Sequence, residues 1–121
     1  MSEQQVVDLL GQPQETRKLG EPDVDPGVET EFVYEAGFIV TFVQNMSGVV
    51  SVSTTSIGEQ TAAGVGVGST KGQVLRKVKG AHCQRRGRSC FVGRLKVGHR
   101  RTEFDLRKGR VSRIIVFIQF P

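Results

Sequence analysis

Residues 64–72, GVGVGSTKG, contain every residue type of a phosphate-binding loop: closely spaced glycines, a lysine and a Ser/Thr pair. A P-loop needs its lysine directly after the last glycine, to reach the phosphates, and its hydroxyl residue after the lysine, to bind magnesium. Here Ser69 and Thr70 come before Lys71, which reverses the two roles. The residue order therefore predicts a linker followed by the start of a helix, with no nucleotide or other cofactor.

Two cysteines lie close together, at the ends of the stretch CQRRGRSC. Six intervening residues suit a disulfide between Cys83 and Cys90, which would stabilise the fold by roughly 2 to 3 kcal/mol in the chain-entropy model and indicate an oxidising compartment. Three other interpretations stay open: two reduced thiols, a thiolate activated by the neighbouring arginines, and a metal site with His82 and His99. The C-x6-C spacing is unlike that of zinc sites, so we predict no metal ligands.

Charge is divided unevenly along the chain, although the total is only +5. Residues 1–70 contain two Lys/Arg against ten Asp/Glu, a net charge of −8, whereas residues 71–121 contain fifteen against two, a net charge of +13. Such asymmetry indicates either a basic binding surface or halves that attract each other, within one fold or between molecules of a self-associating scaffold.

Six arginines of the basic half are the predicted partner-binding residues. A disulfide-closed loop would hold those between the cysteines on a constrained tip, which lowers the ordering cost of binding. Nucleic-acid readers usually interleave aromatic residues with such charges, and here only Phe91 is near. The pattern favours an acidic protein partner or an anionic envelope surface, with a nucleic acid as the alternative. The six residues are Arg85, Arg86, Arg88, Arg94, Arg100 and Arg101.

The chain has no recognisable catalytic arrangement. His82 stands next to Cys83 and His99 between a glycine and an arginine, and neither has an acidic cluster beside it for general acid–base chemistry. The acidic stretch of residues 21–35 lacks the D-x-D-x-D-G frame of a calcium loop, so we predict a solvated connection there and no calcium site. We therefore expect no enzymatic activity and no catalytic residues.

The elements that would position these residues follow one order twice. Ser2 with Gln5 forms a capping-box pattern that predicts a helix up to Gly11. An acidic connection with three prolines then predicts a loop, and strands are predicted over residues 30–35, 38–43 and 49–55. Thr70 with Gln73 repeats the capping pattern. Strands then follow over residues 90–97, 100–107 and 110–120, and the last is apolar on both faces, which is typical of a central strand or an interface.

We predict an α+β fold of two tandem α-β-β-β repeats, whose short helices pack on one face of an antiparallel sheet. The first, acidic repeat spans residues 1–61, a glycine-rich linker spans 62–69, and the second, basic repeat spans 70–121. One repeat alone would leave an apolar sheet face and an open edge, and joining two copies covers both.

The helix-opening motifs, S-x-x-Q-V-V-x-x-L-L-G-x-P at residues 2–13 and G-S-T-x-x-Q-V at residues 68–74, resemble the SmpA/OmlA (BamE-like) outer-membrane lipoprotein module. In tandem, the pattern is similar to the beta-lactamase inhibitory protein fold. One departure is Phe32-Val33-Tyr34, where those modules commonly carry Trp-x-Tyr. The resemblance implies a non-enzymatic, secreted or envelope-tethered protein whose sheet or loops bind a partner protein, and it does not imply that beta-lactamase is that partner.

No run of eighteen apolar residues occurs, so we expect no membrane span. The opening residues MSEQQVVDLLG lack the basic and apolar regions of an export signal. The disulfide pattern and the resemblance nevertheless predict an extracellular or cell-envelope location, with an export signal outside this sequence.

Overall fold

A computed structural model describes residues 1–20, 28–44, 46, 48–58, 60–94 and 100–118. In this part of the chain, two short helices and eight strands form an α+β fold in which strands predominate. The helices are α1 (Glu3–Leu10) and α2 (Lys71–Lys77), and a single 3-10 turn covers Glu35–Gly37. The strands are β1 (Glu15–Leu19), β2 (Glu29–Val33), β3 (Ile39–Val43), β4 (Val49–Thr54), β5 (His82–Cys83), β6 (Ser89–Gly93), β7 (Arg101–Arg107) and β8 (Arg110–Phe117).

All eight strands belong to one antiparallel sheet, in the order β1-β2-β3-β4-β8-β7-β6-β5. Most strands that are neighbours in this sheet are also neighbours in sequence. The exceptions are β4 and β8, which are far apart in the chain and pair at the centre of the sheet. Val52 lies opposite Val116, and Ser53 lies opposite Ile115. The central position predicted for the doubly apolar last strand is therefore confirmed, because β8 pairs with β4 on one side and β7 on the other.

Both helices begin as the capping patterns predict. In α1 the Gln5 N–H donates to Ser2 Oγ at 3.2 Å, and the Ser2 N–H donates to Gln5 Oε1 at 2.8 Å. In α2 the Gln73 N–H donates to Thr70 Oγ1 at 3.2 Å, and the Thr70 N–H donates to Gln73 Oε1 at 2.8 Å. Each capping box supplies acceptors to two backbone N–H groups at the start of its helix, and it therefore fixes where that short helix begins.

The prediction of a structureless acidic connection was wrong for its first part. Glu15–Leu19 forms the edge strand β1, antiparallel to β2, and the Gln14 N–H extends the ladder by donating to the Val33 carbonyl at 2.9 Å. Pro13, Pro22 and Pro26 flank this segment and leave its own N–H groups free to donate. Every residue of the strand is exposed, so it lacks the apolar alternation that would have revealed it.

The described chain therefore has four strands after each helix, where three were predicted. The additional strand of the second half is the two-residue β5, which is too short to leave a pattern in the sequence. The strand predicted over residues 90–97 is seen as Ser89–Gly93, and residues 95–99 lie outside the described residues. The remaining predicted strands are present, with ends shifted by a few residues. The strand predicted over residues 110–120 is seen as Arg110–Phe117, and residues 119–121 lie outside the described residues.

The core lies on one face of the sheet, in two apolar clusters. The first contains Val6 of α1 with side chains from the strands of the first half, including Phe32, Val40, Phe42 and Val49. The second contains apolar residues of α2 and of the strands of the second half: Val74, Val78, Cys90, Phe104, Val111 and Ile114. Both helices therefore cover the same face.

The connection from β4 to α2 contributes to this core. Val65, within the glycine-rich stretch, has no exposed surface and packs in the second cluster, and Val67 packs against that cluster. Backbone bonds hold the segment, since the Gly68 N–H donates to the Val111 carbonyl and the Val111 N–H donates to the Ser69 carbonyl, each at 2.8 Å. The segment thus joins the halves by packing as well as by connectivity.

Val65→Ala removes two methyl groups from this packed position, and we expect it to lower the free energy of unfolding by about 1 to 3 kcal/mol. Urea denaturation followed by circular dichroism measures the loss. Ile57→Ala serves as the control, because Ile57 is 79% exposed and its truncation should change stability by no more than about 0.5 kcal/mol. Equal stability of the two variants would contradict a structural role for the connection.

The chain's single tyrosine ties α1 to the sheet. The Tyr34 hydroxyl donates to the Gly11 carbonyl at the end of α1, at 3.0 Å, and the ring packs against the first cluster. Burial raises the pKa of this phenol above its ordinary value. The folded state therefore prefers the neutral phenol.

Because the folded-state pKa of Tyr34 is raised, its contribution to stability is complete below the unfolded value of about 10 and is lost as pH rises through the folded value. We expect Tyr34→Phe to lower the free energy of unfolding at pH 7 by about 0.5 to 1.5 kcal/mol through loss of the hydrogen bond. Above pH 10 the difference from the wild type should shrink. Denaturant titrations between pH 7 and pH 11 measure both effects, and a constant difference would contradict this assignment.

Candidate partner-binding site

The predicted disulfide is present. Cys83 of β5 and Cys90 of β6 lie opposite each other in the strand register and are bonded through their sulfurs. Cys90 has no exposed surface and packs with Val74 and Phe104 in the second cluster. The disulfide therefore attaches the two-residue strand β5 to the core and closes the hairpin that β5 forms with β6.

The turn between the two cysteines is ordered by its backbone as well. The Gln84 N–H donates to the Ser89 carbonyl and the Gly87 N–H donates to the Gln84 carbonyl, each at 2.9 Å. The Leu106 N–H donates to the Arg88 carbonyl at 2.8 Å, which attaches the turn to β7. The side chains of Arg85, Arg86 and Arg88 are exposed on this fixed turn.

The structure does not bring the six predicted arginines together. Arg94 follows the end of β6 and Arg100 precedes the start of β7, so both lie at the far end of β6 from the turn. Both are exposed. Arg101 begins β7 at that same far end. The predicted set therefore divides into two groups separated by the length of a strand.

Arg101 is engaged within the sheet. Its guanidinium lies 4.0 Å from the centre of the Phe91 ring, and its Nε is 2.9 Å from a carboxylate oxygen of Glu103. Nε is buried and its N–H is not aligned with that oxygen, so the contact is a charge interaction and not a directed hydrogen bond. The side chain is only 18% exposed, so its role is to fill the sheet face opposite the helices.

Four further cations join the turn arginines at one end of the sheet. The Lys71 ammonium lies against Gly87 of the turn, 3.9 Å from where a Cβ would stand, and the Lys71 N–H donates to the Gly109 carbonyl at 3.0 Å. Arg110 donates from its guanidinium to the Gly68 carbonyl at 3.0 Å. We call this group the basic end, and its members are Lys71, Arg85, Arg86, Arg88, Arg107, Lys108 and Arg110.

Lys108, a member of the basic end, has a strained backbone conformation. It occupies the two-residue turn between β7 and β8 with a φ of 52°, followed by Gly109 with a φ of 75°. A turn with two positive φ values joins antiparallel strands well but favours Asn, Asp or Gly at both positions. Among the described residues Lys108 is the one non-glycine with positive φ.

The acidic residues of the second half are engaged elsewhere. Residues 71–121 contain only two, Glu103 and Asp105. Glu103 contacts Arg101, and Asp105 accepts from Arg113 Nε at 2.9 Å, both on the face opposite the helices. Within the described part of the chain, no member of the basic end forms an ion pair.

Sequence reasoning identified the turn arginines and missed the other four members. The strands predicted over residues 100–107 and 110–120 leave only a two-residue turn between them, which could have grouped Arg107, Lys108 and Arg110. Lys71 carries no such signal, because its approach to the turn depends on how the helix packs.

The other described groups that were considered for chemistry have structural contacts. The Thr70 hydroxyl caps α2 and the Ser69 hydroxyl accepts from the Gly66 N–H at 3.1 Å. His82 is exposed, with its ring centre 6.0 Å from that of Phe91, and His99 lies outside the described residues. Over the described ranges, no three His, Cys, Asp or Glu side chains stand close enough to hold a metal ion. No helix in those ranges has the length and apolar character needed to cross a membrane.

Comparison of the chain with protein-family models, with curated proteins and with solved structures gives no match.

We expect the variant Cys83→Ala/Cys90→Ala to lose about 2 to 3 kcal/mol of unfolding free energy, because the short closed loop no longer constrains the unfolded chain. Urea denaturation of the variant under non-reducing conditions measures the loss. Wild-type protein treated with a thiol reductant should fall to a similar stability. A variant as stable as the oxidised wild type would contradict the stabilising role of the bond.

Proposed function

We propose that this protein is a non-enzymatic binding module that captures an acidic protein partner at its basic end. The observation that carries the proposal is the arrangement of seven cations on one end of the sheet, with both acidic residues of the same half engaged elsewhere. Such an unneutralised patch attracts a negatively charged partner and raises the rate of encounter.

The scaffold under the basic end is preorganised for binding. The disulfide and three backbone hydrogen bonds fix the turn that carries Arg85, Arg86 and Arg88. The two-residue hairpin turn fixes the backbone at Lys108. Because the backbone at these positions is already ordered, binding requires the ordering of side chains alone, and less free energy is lost on association.

A protein suits this surface better than a nucleic acid. The turn sequence QRRGR contains no aromatic residue on which a base could stack. Phe91, the one aromatic residue near the arginines in the sequence, lies beneath the Arg101 guanidinium on the sheet face opposite the helices. Arginine forks match carboxylates in a bidentate manner, which gives an acidic protein surface specific geometry as well as attraction.

The finer architecture belongs to the same proposal. We take residues 1–61 and 70–121 as two repeats of an SmpA/OmlA-like module joined by residues 62–69, in the manner of the beta-lactamase inhibitory protein fold. Two features support this: each half has a capped helix followed by an antiparallel series of strands, and the sheet order runs outward from the β4–β8 pair in the same sequence on both sides. The disulfide supports an extracellular or cell-envelope location.

The test measures binding of two anionic probes, a ten-residue polyglutamate peptide and a mixed-sequence DNA duplex of 20 base pairs, over a series of salt concentrations. We expect the peptide to bind the wild type at low salt, and Arg85→Gln/Arg86→Gln/Arg88→Gln to weaken binding by about tenfold or more. Lys108→Asn should weaken binding while leaving the turn intact, since Asn tolerates positive φ. Fluorescence anisotropy of a labelled probe gives the affinities.

The matched control is Arg76→Gln/Lys77→Gln/Lys79→Gln, which removes three exposed cations of the same half outside the basic end. It has the same net charge as the triple arginine variant, so equal weakening by both would show a diffuse effect of charge and contradict a defined site. Tighter binding of the duplex than of the peptide, with a salt dependence that the arginine variant reduces, would favour the nucleic-acid alternative. Binding of neither probe at low salt would contradict the proposal.

A further inference from the structure

The two turns of the basic end carry the same four-residue pattern. RRGR, residues 85–88, lies between β5 and β6, and RKGR, residues 107–110, connects β7 to β8. Each has two cations, a glycine and a third cation, and the glycine has a positive φ in both, 67° at Gly87 and 75° at Gly109. All six cationic side chains are exposed. We call residues 85–88 turn A and residues 107–110 turn B.

Turn A and turn B are neighbours at one end of the sheet. Turn A precedes β6 and turn B follows β7, and β6 and β7 are antiparallel neighbours, so both turns lie at the same end. The Arg88 carbonyl accepts from the Leu106 N–H at 2.8 Å, which connects the bases of the two turns. Because neighbouring strands are about 4.8 Å apart, the midpoints of two adjoining hairpins are about 10 Å apart.

Lys71 lies between the two turns. Its N–H donates to the Gly109 carbonyl of turn B at 3.0 Å. Its ammonium approaches Gly87 of turn A, 3.9 Å from where a Cβ would stand. The positive surface is therefore continuous from one turn to the other.

This arrangement suits a ligand with two separated negative charges. One carboxylate can contact one turn, and the other turn is about 10 Å away. The backbone of turn A is held by the disulfide and by hydrogen bonds, so the sheet sets the separation before any ligand binds. When two carboxylates on one chain match that separation, the second contact is intramolecular and has a high effective concentration.

The polyproline II conformation gives an extended polypeptide the matching spacing. It has three residues per turn and a rise of about 3.1 Å, so residues i and i+3 lie on one side about 9 Å apart. A β-strand places residues of one face about 7 or 13 Å apart. Backbone groups of the turns are also engaged already, since the Gly87 N–H donates to the Gln84 carbonyl and the Gly109 carbonyl accepts from Lys71. The ligand therefore binds through its side chains, and it needs no strand pairing.

We propose that the acidic partner of the basic end is a polyproline II segment with Asp or Glu at positions i and i+3, one carboxylate on turn A and the other on turn B. Arginines in each turn can hold a carboxylate in a bidentate manner. This inference rests on the proposed function, because it specifies the partner of the same site.

The test compares two acetylated and amidated peptides of equal composition, Pro-Pro-Glu-Pro-Pro-Glu-Pro-Pro (spaced) and Pro-Pro-Pro-Glu-Glu-Pro-Pro-Pro (adjacent), added to wild-type protein labelled with nitrogen-15. At low salt we expect the spaced peptide to bind about fivefold or more tightly, because it contacts both turns at once. The amide signals of Gly87 and Gly109 should shift with the same titration midpoint. Equal affinity of the two peptides would overturn the proposal.

Two variants with equal loss of charge separate the turns. Arg85→Gln/Arg86→Gln changes turn A, and Arg107→Gln/Lys108→Asn changes turn B. Either should weaken the spaced peptide about fivefold or more. Either should weaken the single-charge peptide Pro-Pro-Pro-Glu-Pro-Pro-Pro-Pro by about twofold or less, because the other turn still binds one carboxylate. Equal weakening of both peptides would overturn the two-turn contact.

The control variant is Arg76→Gln/Lys77→Gln, which removes two exposed cations of α2 outside the basic end. It should weaken the spaced peptide by less than about twofold, since its cations touch neither turn. A loss as large as that of the turn variants would show a diffuse effect of charge and overturn the proposal. The peptide comparison uses wild-type protein alone, so its result does not depend on the folding of a variant.

The polyglutamate probe separates this inference from the proposed function. If polyglutamate binds at the basic end but the spaced and adjacent peptides bind equally, the acidic partner is retained and the spacing is overturned. If polyglutamate fails to bind, both are overturned. A disaccharide with two sulfate groups that binds more tightly than the spaced peptide would assign the turns to a sulfated polysaccharide and overturn this proposal.

Discussion

The pairing of β4 with β8 is the interaction on which the rest of this structure depends. Without this pairing, β4 and β8 would each leave an unpaired backbone edge exposed to water. The register that places Val52 opposite Val116 and Ser53 opposite Ile115 satisfies both edges at once. It also fixes both helices on the same face, because side chains alternate across a strand.

This antiparallel pairing decides where the charges lie. The β3–β4 turn and the β7–β8 turn point to opposite ends of the sheet, since β4 and β8 run in opposite directions. The basic end gathers around the second of these turns, where α2 and the disulfide-closed turn also arrive. Seven of the fifteen Lys/Arg residues of residues 71–121 therefore lie at one end of the sheet.

The two apolar clusters of the core differ in what completes them. The second half uses the connection after β4, with Val65 as its central side chain, and gains a disulfide through Cys90. The first half has Tyr34 bonded to Gly11 at the end of α1 and an apolar groove between α1 and the sheet. The two clusters of the core are thus completed by different parts of the chain.

The sequence by itself determined the elements whose signals are local. Capping boxes at Ser2 and Thr70, alternation in the central strands, and the short cysteine spacing each depend on neighbouring residues, and these features are present as predicted. The exposed strand β1 has no apolar alternation, so local pattern could not reveal it. Only the tertiary structure decided that the six arginines separate, that Lys71 and Lys108 join the turn, and that Val65 is buried, because each depends on contacts between segments far apart in the chain.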